Sequence, residues 1–129
     1  MIEYYTMFQY KLNPYKTKDI GLLAFDTLYN KYHMYIEPTL VEGVLPPILF
    51  GLMDDELPTD RTIRIWINSR TTPPDRLNIA AILRNAGLAE YDGWELLKAA
   101  QGRNPGCDTW GFRPELKPNP EWVAKLSIE

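Results

Sequence analysis

The chain has 129 residues and a net charge of −3, with a sequence pI of about 5.2. That length suits one domain able to bury its own core without disulfides or metals. The acidic balance supplies no overall basic field for nucleic acid or an anionic membrane, and 45% hydrophobic with 24% charged residues argues against disorder.

The first forty residues read as strands. Tyr4, Thr6, Phe8 and Tyr10 alternate with Tyr5, Met7 and Gln9, a half-buried β pattern that Asn13-Pro14 breaks. Ile20 to Asp26 (I-G-L-L-A-F-D) is a second strand and Lys31 to Glu37 (K-Y-H-M-Y-I-E) a third. Thr27 to Asn30 forms the hairpin loop between them, with Asn30 suited to a left-handed closing position. Pro38 ends the third strand because it cannot donate to a ladder. Val44 to Met53 is the most apolar stretch. Its Pro46-Pro47 forbids a helix interior, so a buried extended connection, or a short strand after the prolines, is expected. Asp54 to Pro58 then makes an acidic surface loop.

Three helices follow. Thr59 caps one over Asp60 to Ser69, with Ile63, Trp66 and Ile67 at helical spacing and Asp60 where the helix dipole favours an anion. Pro74 starts a second, lined by Leu77, Ile79, Ile82, Leu83 and Ala86 and ended by Gly87. Asp92 opens a third with Glu95 at capping-box spacing. Trp94, Leu96 and Leu97 face inward there, and Gly102 ends it. From Asn104 to Pro120 the chain is turn-rich, with Trp110 and Phe112 as anchors. Pro120 starts a last short helix carrying Trp122, Val123 and Leu126.

The fold expected is therefore α+β: a small antiparallel sheet from the first half packed against about three helices from the second. It forms a single domain over 1–129, with a β-rich half at 1–53, a helical half at 59–103 and a turn-rich tail at 104–129. The lone cysteine, Cys107, excludes an intrachain disulfide, so a reducing cytoplasm is the expected compartment. The first ten residues lack the basic and long apolar regions of a signal peptide. No run approaches the roughly 18 apolar residues of a membrane helix, so no membrane partner is expected.

Catalytic signatures are absent from the sequence. His33 is the one histidine, so zinc-ligand spacings do not occur. Cys107 is flanked by Gly106 and Asp108, and an adjacent carboxylate raises a thiol's pKa instead of activating it. Asp54, Asp55 and Glu56 are contiguous and read as solvated, while Asp92 already caps a helix, so no pair of carboxylates sits in unlike environments. The glycines fit no phosphate loop. No cofactor and no catalytic residue are expected.

The basic residues carry more. Between positions 61 and 103 lie six arginines and one lysine. Arginine in preference to lysine suits bidentate pairing with carboxylate or phosphate. Arg61, Arg64, Arg70, Arg76 and Arg84 read either as a solvated helix face or as the candidate partner-binding residues, for a protein or, as an alternative, for nucleic acid. Two helices joined by T-T-P-P mimic a helix-turn-helix, although the turn lacks the usual glycine and the domain is acidic.

The residue order W-x-x-x-R, then P-x-x-R-x-x-I-x-x-I-L, an L-L helix and G-x(5)-D-x-W resembles the N-terminal module of HipA-like serine/threonine kinases. Here these are Trp66, Arg70, Pro73 or Pro74, Arg76, Ile79, Ile82, Leu83, Leu96, Leu97, Gly102, Asp108 and Trp110. The strands I-G-L-L-A-F-D and Y-H-M-Y-I, followed by V-L-P-P-I-L-F, are similar to that family's small β subdomain. The chain departs from the pattern in N-P-G-C-D, which stands in place of S-x-x-D, and in Gly111 after Trp110. It holds no kinase core: 129 residues cannot make two lobes, and the catalytic Asp/Asn set is missing. The resemblance implies a stand-alone regulatory module that binds a kinase in trans, as an antitoxin component does in three-component toxin–antitoxin relatives. The alternatives are a phage or mobile-element accessory protein that occludes a surface of another system, and nucleic-acid binding through the arginine-bearing helices. A small-molecule enzyme comes last.

Overall fold

The computed structural model describes residues 1–10, 17–42, 57–103, 109–126 and 128. The expected break at Asn13-Pro14, the apolar connection from Val44 to Met53, the acidic residues Asp54 to Glu56, and Cys107 with Asp108 lie outside the described residues. Among the described residues, four strands form one antiparallel sheet: β1 (Ile2–Tyr10), β2 (Thr17–Asp26), β3 (Lys31–Ile36) and β4 (Trp110–Pro114), in the order β3-β2-β1-β4. Four helices accompany it: α1 (Asp60–Arg70), α2 (Ile79–Asn85), α3 (Gly93–Ala99) and α4 (Pro120–Leu126). A short 3-10 turn, Pro38–Leu40, follows β3. The architecture is α+β.

The half-buried pattern expected of the first strand is replaced by burial on both faces: Tyr5, Thr6, Met7 and Phe8 are all buried. β1 is an inner strand, and helices cover both sides of the sheet. On one face Tyr5, Met7, Leu23, Met34 and Ile36 meet Ile63, Trp66 and Ile67 of α1 and Leu97 of α3. On the other, Leu22 and Ala24 pack with Leu126 of α4, flanked by Tyr4, Tyr35, Trp122 and Val123. A bulge helps. Met7 pairs with Gly21 but Phe8 pairs with Asp19, so Ile20 has no opposite residue and turns fully into the first core.

Local rules account for most boundaries. The β2–β3 loop is Thr27 to Asn30 as expected, with Asn30 at φ 53°. The Asp26 carboxylate closes it by accepting the N–H groups of Leu28 and Tyr29 at 3.0 and 3.2 Å. Thr59 accepts the Thr62 N–H to cap α1, and Asp92 accepts the Glu95 N–H to cap α3. Gly87 and Gly102 follow their helices at φ 75° and 66°.

Two further expectations change. The second helix starts at Ile79, not Pro74, and Asp75 to Asn78 form exposed turns. Those residues are exposed, so they bury little that would offset the cost of ordering a helical turn. Leu77, expected to line the helix, is fully exposed. The tail is also more regular than its turn-rich composition suggests. β4 pairs with β1 from Gln9↔Trp110 to Tyr5↔Pro114, and Trp110 and Phe112 are buried as expected.

Candidate functional site

Every candidate arginine descends from α1 or the stretch after it, and the fold sorts them into three kinds. Arg64 is committed to the frame. Its Nε donates to both oxygens of Asp60 at 3.0 and 3.2 Å, one turn back on α1. Its terminal nitrogen donates to the carbonyl of Asn30 and, at 3.2 Å, to the Asn30 side-chain oxygen. The guanidinium lies 4.9 Å from the Tyr32 ring centre. Asp60 also accepts the Tyr32 N–H at 2.7 Å. Burial pushes the Asp60 carboxyl up, but the Tyr32 N–H and then the Arg64 hydrogen bond and charge outweigh it, leaving it below its ordinary value. Burial raises the Tyr32 phenol, against the opposing pull of Arg64.

Arg70, expected at a partner surface, is buried, with 2% of its surface exposed. Its Nε donates to the Gly102 carbonyl at 2.9 Å and a terminal nitrogen to the Trp110 carbonyl at 2.8 Å. The guanidinium sits 4.4 Å from the Trp66 ring centre. It ties the end of α1 to the end of α3 and the start of β4. The cause is spacing: Ile63, Trp66, Ile67 and Arg70 share one helix face, and that face meets the core.

Arg61, Arg76 and Arg84 are exposed. Arg61 shares the outer face of α1 with the half-exposed Ile65. Arg76 precedes exposed Leu77. Arg84 lies four residues after exposed Ala80 on α2. No residue of α2 is buried, although Ile79, Ile82 and Leu83 are all large and apolar. Each is only half covered.

Between the end of α1 and α3 is a cleft of about 210 Å³, lined by Arg70, Arg76, Arg103 and Thr72 over Leu96 and Leu97. Its lining among the described residues includes no acidic side chain. Arg103 was not singled out from the sequence. It follows Gly102, whose left-handed backbone turns the chain here. Its guanidinium carbon stands 5.2 Å from the Phe8 ring centre and 5.1 Å from that of Tyr10. Its Nε is buried and meets no hydrogen-bond partner among the described residues. By contrast Lys98 is paired with Glu95 at 2.6 Å and Arg113 with Asp19 at 2.9 Å.

His33 lies opposite Ala24 in the β2–β3 register, on the α4 side of the sheet. Among the described residues no three His, Cys, Asp or Glu side chains gather as metal ligands, and no helix is long and apolar enough to cross a membrane. No family model, curated protein or solved structure matches this chain.

Proposed function

We propose that this chain is a non-enzymatic protein-binding module that regulates a HipA-like kinase in trans. One observation supports it above the rest: α2 presents Ile79, Ile82 and Leu83 without burying any of them. A fully buried side chain of this size contributes about 1.5–3 kcal/mol. α1 collects that from Ile63, Trp66 and Ile67, and α2 does not. A short helix that adds so little to its own core suits a partner that completes its cover. Leu77 is fully exposed, and Arg76 beside it and Arg84 near the far end of α2 are exposed too, an apolar side chain and two cations available to a partner. The partner surface that fits is an apolar depression rimmed by carboxylates.

Nucleic acid is less favoured. Arg64 and Arg70 are spent on Asp60 and on main-chain carbonyls, leaving three of the five arginines for phosphate. Counterion release by so few contacts on a domain of net charge −3 makes a weak grip.

Co-expression with a HipA-like kinase from the same genome tests the reading. A stoichiometric complex that survives high salt is expected on size-exclusion chromatography. Leu77→Asp combined with Arg84→Glu should abolish that complex and leave the melting temperature within a few degrees, since both side chains are exposed. A complex that ignores both substitutions removes α2 from the interface, and absence of any complex defeats the proposal.

A further inference from the structure

We propose that the cleft between the end of α1 and α3 binds a phosphoryl group, held by Arg76 and Arg103. Arg70, Arg76, Arg103 and Thr72 line a space of about 210 Å³ with no carboxylate among its described lining residues. Cations gathered without counter-charge repel one another, so a cleft of this composition favours an anion.

The groups are also held in place before any ligand arrives. Arg70 is fixed by the Gly102 and Trp110 carbonyls and by the Trp66 ring. It is already engaged, so it contributes charge from the wall and not a free donor. Arg103 is steadied by the Phe8 and Tyr10 rings. Its buried Nε meets no acceptor among the described residues. A buried donor left unsatisfied is costly, and an oxyanion oxygen is the acceptor that would relieve it. Arg76 is exposed at the mouth, and its planar fork matches two oxygens of one phosphoryl group. Leu96 and Leu97 lower the local dielectric beneath the charges, which strengthens the attraction. A phosphoryl dianion answers three cations better than a singly charged carboxylate does. The proposal stands apart from the α2 surface and does not need a kinase partner.

Calorimetric titration of the full chain at constant ionic strength tests it, with inorganic phosphate, O-phosphoserine and acetate as probes. Saturable binding of both phosphate probes is expected, with acetate at least about tenfold weaker. Tighter binding of O-phosphoserine would identify a phosphorylated side chain as the natural source, and equal binding a free phosphate ion. Arg76→Gln, an exposed change that leaves folding intact, should weaken phosphate about tenfold. Arg103→Lys keeps a charge but loses the Nε donor, and should weaken it similarly. Acetate binding equal to phosphate would assign the cleft to carboxylates and overturn the proposal. So would no saturable heat, or phosphate affinity unchanged in both variants.

Discussion

A guanidinium withdrawn from water must keep its donors occupied, and Arg70 does so with two main-chain oxygens that belong to different elements. Replacing it by Met would fill much the same space but leave the Gly102 and Trp110 carbonyls without these donors. A cost of about 3 kcal/mol is expected, from stranded buried acceptors and the lost contact with Trp66. Arg61→Ala, on the exposed side of the same helix, should change stability by no more than about 0.5 kcal/mol. Urea midpoints with unchanged slopes would measure both, and equal effects would refute the distinction between the two arginines. The distinction was partly legible in the sequence. Positions 63, 66, 67 and 70 follow the i, i+3, i+4, i+7 rule that identifies a buried face. Residue type hid it, because arginine is seldom inside unless its donors are satisfied, and the acceptors here lie 32 and 40 residues away. Arg103 was hidden for a like reason: its cleft mates come from α1, the turn after it and α3.

Elements with strong local signals appear where the sequence puts them. Thr59, Asp92, Gly87 and Gly102 act at helix ends as their types require, and Asn30 closes its hairpin. Elements whose form depends on distant partners are less visible. β4 is five residues long, contains a glycine and a terminal proline, and has consecutive buried residues in place of alternation. Only its pairing with β1 makes it a strand. α2 fails in the opposite way, since its pattern reads as a buried helix and none of its residues is buried. The two helix-ending glycines allow a test at this scale. Both have positive φ, but a Cβ on Gly87 would meet open space, whereas one on Gly102 would stand 2.4 Å from the Phe112 ring. Gly87→Ala should cost about 1 kcal/mol, the left-handed penalty alone. Gly102→Ala should cost about 3 kcal/mol or more, because the ring below is locked in the core. Similar thermal shifts in the two variants would contradict the packing of α3 against Phe112.

Over the whole molecule, two polar fastenings among the described residues tie α1 to the sheet: Arg70 reaching β4, and Asp60 with Arg64 gripping the β2–β3 loop. The second fastening depends on pH. Asp60 carries its charge toward the Tyr32 N–H and the Arg64 guanidinium, and its carboxyl lies below the ordinary value of 3.8 in the folded chain. A carboxyl lowered by folding stabilises the fold above its unfolded pKa, and that contribution disappears as pH falls through the folded value. Asp60→Asn can still accept from Tyr32 but has no charge. At neutral pH the variant should be less stable by about 1 kcal/mol, a modest figure because roughly a third of each side chain in the pair is exposed. The gap between wild type and variant should stay constant from pH 7 to about pH 5, then narrow below 3.8 as wild-type Asp60 takes up its proton. Glu37, also lowered, by hydrogen bonds from Tyr35 and Thr39, titrates in the same window but identically in both proteins, so the difference isolates Asp60. Denaturant curves at pH 7, 5 and 3 measure it. A gap that stays as wide at pH 3 as at pH 7 would mean that the Asp60 charge does not fasten the sheet to α1, and that the hairpin is held by the neutral contacts of Asn30 and Tyr32 instead.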